Sequence, residues 1–324
     1  MVLPFLPNVN KRKNGAATNF EGVLRTELGN EQSAVDFQTL SLYHTSMTII
    51  QVSSLEDADL HPYRTLRRPL DHQRKGIFVA EGEKVVRRLL ESNLEALTVL
   101  LTPEWLEELR PMLEQRSDDL RVFVAQKQIV EEIVGYNLHQ GLMAVARIPR
   151  PLTLSEAIAR ARHPALLVAV DGLTNAENLG ALVRNCAAFD VDALLVGETS
   201  SSPYLRRAVR NSMGTVFTLP VVHLSSLVDS LGELRKHHKM RVIAAHPHAE
   251  PSAPHQAAMK GDCCIVLGSE GEGLRSSVLA ACDDMVAIPM RDGVDSLNVA
   301  SASAVFLYEA QRQRAGLMLG DGRG

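Results

Sequence analysis

The sequence predicts an α/β fold in two successive series, the second built on a mostly parallel sheet, and three observations predict it. Short apolar runs alternate with stretches whose apolar residues recur at helical spacing. The strand runs of the second series are continuous in Val, Ile, Leu and Ala, as in a sheet buried on both faces. Three of the loops that follow strands are polar and glycine-bearing, and ligands of parallel sheets bind beyond the carboxyl ends of strands.

Composition sets the outer bounds. The chain has 324 residues, room for two domains or one large one. Hydrophobic residues make up 45% and charged residues 22%, an ordinary globular balance that excludes disorder as the overall class. Net charge is −4, so any affinity for nucleic acid must come from a local basic surface. No apolar run approaches the ~18–20 residues of a membrane span, and Met1 to Asn10 lacks the charged start and apolar core of a secretory signal, so a cytoplasmic location is expected. Cys186, Cys263, Cys264 and Cys282 show no C-x-x-C spacing and are expected to be buried reduced thiols.

Residues 1–46 are polar and weakly periodic and are expected to form a poorly ordered tail; the working protein is expected to begin near Met47. Between His61 and Gly76 stand Arg64, Arg67, Arg68, Arg74 and Lys75 against one acid, Asp71. Such a run is either a solvated helix face or a phosphate-tracking arm. The first series then predicts strands at Ile77–Ala80, Leu97–Leu101, Val122–Val124 and Leu142–Ala146. Helices are predicted over Glu81–Leu90, from Pro103 at its favoured first-turn position, and over Lys127–Val134. Arg150-Pro151 reads as a linker, dividing 47–150 from 151–324.

The second series predicts strands at Ala165–Val170, Ala193–Val196, Val216–Leu219, Met240–Ala245, Cys263–Leu267 and Met285–Pro289. Helices are predicted at Asn178–Ala188, Pro203–Ser212, Leu224–Lys236 and Ser276–Ala281, with a last one after Asn298. Ser296 or Asn298 is placed to cap that last helix, and the run Ala300 to Ala304 carries only alanine and serine, so another backbone can approach it closely.

Chemistry is expected at three strand ends. The first is Asp171 to Arg184, where Asn178 can cap a helix carrying Arg184 on its second turn. The second is Gly268-Ser-Glu-Gly-Glu-Gly273, and the third follows Ile288 through Asp295-Ser-Leu-Asn298. Gly268, Gly271 and Gly273 give G-x-x-G-x-G late in the chain, not the opening G-x-G-x-x-G of a dinucleotide site, and no P-loop pattern occurs. Glycine loops with carboxylates nearby suit a positively charged small ligand, and the sulfonium of S-adenosylmethionine fits.

Asn178-Leu-Gly-Ala-Leu-Val-Arg184, Leu267-Gly-Ser-Glu-Gly-Glu-Gly-Leu274 and Ile288-Pro-Met with Asp295-Ser-Leu-Asn-Val-Ala300 resemble the three ordered motifs of the SpoU (TrmH) family of RNA 2′-O-ribose methyltransferases, in the SPOUT superfamily. The resemblance covers residues 165–316. Residues 60–150, with Gly76-Ile-Phe-Val-Ala-Glu-Gly-Glu-Lys84, are similar to the family's N-terminal substrate-binding domain, whose fold resembles small ribosomal RNA-binding proteins. The resemblance implies a trefoil knot in 151–324, which ordinary folding rules would reject, and a homodimer whose active site combines both subunits.

By the same resemblance Arg184 activates the ribose 2′-hydroxyl and Asn178 shapes the loop beside it. Glu270 holds Arg184 or the substrate, or is structural. Leu267, Gly268, Ile288, Met290 and Leu297 lend backbone groups to S-adenosylmethionine, with Glu270, Gly271 and Ser296 beside them, and Ser296 and Asn298 complete the third motif. A ribose hydroxyl is a weak nucleophile that needs positioning and help with its proton. Arginine stays protonated, so Arg184 is read as gripping the adjacent phosphate and stabilising the developing alkoxide, the proton leaving to that phosphate or to water. Ala176 stands where many members of the family have proline.

A second RNA-contact surface is expected on Pro203 to Gly214, where Arg206, Arg207 and Arg210 lie close together and no carboxylate occurs from Thr199 to Val228. Helical spacing puts Arg206 and Arg210 on one face. His237, His238, His246, His248 and His255 lack a ligand spacing, and no metal is expected. The leading expectation is a methyltransferase acting on structured RNA, ribosomal in preference to transfer RNA. Rivals are a catalytically silent RNA-binding paralogue and an oxidoreductase, the latter disfavoured by the glycine spacing.

Overall fold

The computed structural model describes residues 47–52, 57–117, 119–135, 141–247 and 252–318. The expected tail at 1–46, and His248 among the histidines, lie outside the described residues.

The first series contains β1 (Thr48–Gln51), α1 (His61–Arg64), α2 (Pro69–Arg74), β2 (Ile77–Glu81), α3 (Glu83–Glu91), β3 (Ala96–Leu101), α4 (Pro103–Glu114), β4 (Arg121–Val124), α5 (Lys127–Val134) and β5 (Leu142–Arg147). They form a five-stranded sheet of order β1-β4-β3-β5-β2. β1, β4 and β3 run parallel, and β5 is antiparallel to both β3 and β2. Val85, Val86, Leu89 and Leu90 are buried on one side of α3, the helical period that the sequence shows. α5 stops at Gly135, whose φ of 75° is the left-handed C-terminal turn that glycine adopts without strain.

The second series contains α6 (Leu154–Arg160), β6 (Leu166–Asp171), α7 (Ala176–Ala188), β7 (Ala193–Val196), α8 (Arg206–Asn211), β8 (Val221–His223), α9 (Leu227–His238), β9 (Arg241–Ala245), β10 (Cys263–Gly268), α10 (Ser276–Ala280), β11 (Asp284–Val286) and α11 (Val299–Met318). The sheet is six-stranded and wholly parallel, in the order β11-β9-β10-β6-β7-β8. All six residues of β6 are buried, so its uninterrupted apolar run is that of a central strand covered on both faces. α6, absent from the expectations, is announced by a capping box: Thr153 Oγ1 accepts from Glu156 N at 3.2 Å, and Glu156 Oε2 accepts from Thr153 N at 2.9 Å.

One predicted strand is overturned. Val216–Leu219 does not pair; Thr215–Phe217 is a 3₁₀ turn entered through Gly214 at φ 78°, and the strand comes later, at Val221–His223. A four-residue apolar run has no periodicity of its own. Here Phe217 is drawn to the first series, its ring centroid 5.5 Å from that of Phe78. The same contact region holds Tyr204, 5.6 Å from Phe78, and an apolar core continues from β2 and α3 across to α7 and β6.

The four thiols are unpaired, with Cys186, Cys263 and Cys264 buried and Cys282 half-buried. Burial pushes the Cys282 thiol up to about 12 and raises the other three. Among the described residues no helix is long and apolar enough to cross a membrane, and no cluster of three His, Cys, Asp or Glu side chains could hold a metal ion.

Candidate active site

Because every strand of the second sheet points the same way, the loops after β6, β9, β10 and β11 all open at one edge. Between those after β9, β10 and β11 lies a cavity of about 320 Å³. Leu267, Gly268, Glu270 and Gly271 reach it from the end of β10, Ile288, Met290, Ser296 and Leu297 from beyond β11, and Val299, Ala302 and Phe306 from α11. All eight residues expected to hold the cofactor line this one space.

The β10 loop is a tight return. Ser269 N donates to Gly273 O at 3.2 Å and Gly273 N to Ser269 O at 3.0 Å. Gly268 is required there, because an added Cβ would stand 2.3 Å from the Gly273 carbonyl carbon and 2.6 Å from Leu274 N. Gly273 takes φ +68°, whereas Gly271 has open space around it. Spacing alone does not distinguish these three roles.

The polar residues of the three loops converge. Asn298 Nδ2 donates to Asn178 Oδ1 at 3.0 Å and to Glu270 Oε1 at 3.2 Å, and Asn178 Nδ2 donates to the same Glu270 oxygen. Asn298 also caps α11, its Oδ1 accepting from Ala300 N at 2.9 Å; of the two candidates, Asn298 and not Ser296 is the cap. Asn178 is not the cap of α7. Asn175 is, its Oδ1 accepting from Glu177 N at 2.9 Å and Asn178 N at 3.2 Å, which leaves the Asn178 amide free to join the cluster.

Arg184 sits on the third turn of α7, not the second, because the helix begins two residues before Asn178. It is exposed, and Glu270 does not hold it: that carboxylate is engaged by Asn178 and Asn298. Among the described residues Arg184 has no hydrogen bond or ion pair. Its neighbour Asn185, which the sequence reading passed over, ties α7 to α11 by donating to Ala300 O at 2.6 Å and Ser303 Oγ at 2.9 Å. Ala300 and Ser303 at the start of α11 therefore face α7 of the same chain. Larger side chains further along α11, Val305 at 39% and Tyr308 at 61%, remain exposed.

An ion network anchored on one buried carboxylate, also missed, braces the loops. Asp171, 1% exposed at the end of β6, accepts from Arg275 Nε at 2.8 Å and Arg275 N at 3.0 Å. Arg275 Nη1 reaches Glu198 Oε1 at 2.8 Å. Burial alone would push the Glu198 carboxyl up; bonds from its own and the Leu227 backbone N–H and from Arg275 outweigh it and hold the carboxyl below its ordinary value. An acidic residue closing a fully apolar strand was the available signal.

The basic surfaces separate into different roles. Arg67, Arg68, Arg74 and Lys75 are exposed, while Arg64 is half-buried and donates to Asp57 O at 3.0 Å. On α8, Arg206 and Arg210 do share a face, but both bind Glu81 of β2. Arg206 is only 20% exposed, so it is a structural cation and not the open phosphate contact expected. Arg207 is 70% exposed, with Glu177 at 3.8 Å. α8 lies close on α7 because Gly180 makes room: a Cβ there would stand 2.4 Å from Ala208 O.

Residues 165–308 match the model of the SpoU rRNA Methylase family. The chain is 34% identical over 290 residues to an uncharacterized tRNA/rRNA methyltransferase of Mycobacterium tuberculosis (strain H37Rv), covering 85% of this chain and 96% of that one. It is 31% identical over 241 residues to the 23S rRNA (guanosine-2′-O-)-methyltransferase RlmB of Haemophilus influenzae, covering 72% of this chain and 97% of that one. In fold it is similar to an AdoMet-bound rRNA methyltransferase from Sinorhizobium meliloti, with a TM-score of 0.71 at 22% identity over 82% of this chain and 98% of that one. The three loops, their order and these relatives give one answer: the chain belongs to the SpoU methyltransferase family.

Proposed function

We propose that this methyltransferase transfers a methyl group from S-adenosylmethionine to a ribose 2′-hydroxyl of structured RNA, ribosomal RNA in preference to transfer RNA. The observation that carries the reading is the convergence of Asn178 from the first turn of α7 with Glu270 and Asn298 from two loops beside the cavity of about 320 Å³. The cavity fits the cofactor: Leu267, Ile288, Met290, Leu297 and Phe306 offer apolar walls for a nucleoside and an aliphatic chain, and the Glu270 carboxylate suits a sulfonium. When bound, S-adenosylmethionine supplies a sulfonium-activated methyl group.

Leu267, Gly268, Gly271, Ile288, Met290, Ser296 and Leu297 hold the cofactor, and Glu270 with Asn178 and Asn298 fixes the rim at which the ribose enters. Arg184, exposed and permanently charged, grips the phosphate next to the target ribose and stabilises the alkoxide as the hydroxyl oxygen attacks the methyl carbon. The hydroxyl proton leaves to that phosphate or to water. The 23S rRNA activity in the printed name of the Haemophilus relative supports ribosomal RNA as substrate.

Three further assignments belong to this reading. Residues 47–150 bind RNA and 151–324 form the methyl-transfer domain. The last loops of 151–324 are threaded as a trefoil knot, a reading supported by the return of α11 onto α7 and β10. The protein works as a homodimer, supported by the exposed large apolar side chains of Val294, Leu297, Val305 and Tyr308, of the kind that partner surfaces cover. Replacing Arg184 by Ala tests the core of the proposal: methyl transfer to RNA is expected to fall about a hundredfold or more, and full retention would remove Arg184 from the mechanism.

A further inference from the structure

Strand β2 connects two surfaces that the proposed function treats separately. Just before its start, at Arg74 and Lys75, lies the exposed basic arm; at its end Glu81 meets α8 of the second series. All five residues of β2 are buried and the strand is paired to β5, so it is a stiff spacer of roughly 16 Å.

The contact at its far end buries the carboxylate, while Arg210 stays 59% exposed. The Glu81 side chain is 6% exposed, and each oxygen takes one guanidinium, Oε2 from Arg206 and Oε1 from Arg210 at 3.0 Å. A carboxylate this buried is tolerable only while paired. Along the same seam Phe78 packs on Tyr204 and Phe217, and Arg88 Nη1 donates to Met213 O at 2.6 Å. Cations that sequence reading gives to RNA are thus held by the protein's other half.

We propose that Glu81 is a positioning residue: through Arg206 and Arg210 it locks the basic arm and the methyl-transfer half into one preset frame, which grips structured RNA at two points separated by β2. The inference rests on the proposed function and adds where the substrate's reach is measured. An RNA long enough to span both points is aligned by the frame. A short fragment carrying only the target loop does not use it.

The test uses the full chain as wild type, Glu81→Ala, Glu81→Gln and Arg88→Ala, the last removing a second tie in the seam without touching α8's cations. Substrates are bulk ribosomal RNA from a strain lacking the enzyme and a short fragment around the methyl position mapped in it. Glu81→Ala is expected to lower kcat/KM on the intact RNA by about tenfold or more, since small misplacements are costly. On the fragment the loss stays within about twofold, and S-adenosylmethionine affinity by calorimetry is unchanged, as for a distant independent site. Glu81→Gln and Arg88→Ala shift the same ratio in the same direction, and they carry the test if Glu81→Ala fails to fold by circular dichroism. Equal losses on both RNAs, or none on the intact RNA, overturn the proposal. If the wild type methylates no RNA, the functional reading fails instead, and solution scattering still decides this one: a broadened distance distribution for the variants supports the preset frame, and curves identical to wild type overturn it.

Discussion

Asn298 donates to Asn178 across 3.0 Å, joining two residues 120 positions apart in the chain. The same Asn298 amide reaches Glu270, and its oxygen caps α11. One side chain therefore starts the last helix and holds two other loops of the site together.

That double role separates under mutation. Asn298→Ser keeps a competent cap and loses the amide donor, so thermal stability is expected to hold within about 0.5 kcal/mol of wild type while methyl transfer falls about tenfold or more. Asn298→Ala loses both, with an added cost of about 1 kcal/mol. Thermal melts and methyl-transfer rates on the two variants check it; equal Tm losses would assign Asn298 to structure alone.

The β10 loop predicts a contrast between glycines. Gly268→Ala drives a methyl group into the backbone of Gly273 and Leu274, opening the return at a cost of about 1–3 kcal/mol, and S-adenosylmethionine affinity is expected to drop at least about tenfold. Gly271→Ala, with open space around it, leaves affinity within about twofold. Isothermal titration on both variants reads the difference.

Salt dependence sorts the arginines. Replacing exposed Arg67, Arg68, Arg74, Lys75 or Arg207 by Ala is expected to lower the slope of log affinity against log salt by about 0.7–0.9 each for those that touch phosphate. Arg206→Ala leaves the slope unchanged and instead lowers stability by about 1–3 kcal/mol, because Glu81 loses one of its two partners. Fluorescence binding to RNA at several salt concentrations, with melts alongside, checks both halves.

Acid pH acts on the cap of α6. Backbone N–H of Thr153, then Arg150 and the Thr153 hydroxyl, hold the Glu156 carboxyl down at about 2 against an ordinary 4.5. A depressed carboxyl stabilises the fold above its unfolded value and loses that contribution as pH falls through its folded one, here between 4.5 and about 2. Wild type is expected to melt higher than Glu156→Gln at neutral pH, the gap closing across that window; a gap constant down to about pH 2 contradicts it.

Much of this was legible in the residues. Buried parallel strands such as Leu166–Asp171 advertise themselves because both faces are covered and the run stays apolar up to its closing residue, Asp171. The three strand ends that carry the site were legible too, since ligand loops follow strand ends, and the resemblance of their motifs to the family's implied which residues line the cavity. What the sequence hides is pairing between side chains far apart in the chain. Nothing local distinguishes Arg206, half-buried against Glu81, from Arg207 one residue later in solvent. Nothing local says that Asn175 would cap α7 and release Asn178. The Val216–Leu219 strand failed for the same reason: a distant ring, Phe78, claims Phe217.

The most direct test supplies purified protein with radiolabelled S-adenosylmethionine and bulk ribosomal RNA from a strain lacking the enzyme, then digests the product with alkali. A 2′-O-methylated ribose cannot be cleaved at its 3′ linkage, so label is expected in alkali-resistant dinucleotides and is expected to vanish with Arg184→Ala. Label recovered only in mononucleotides, or undiminished in Arg184→Ala, would contradict ribose methylation by this site.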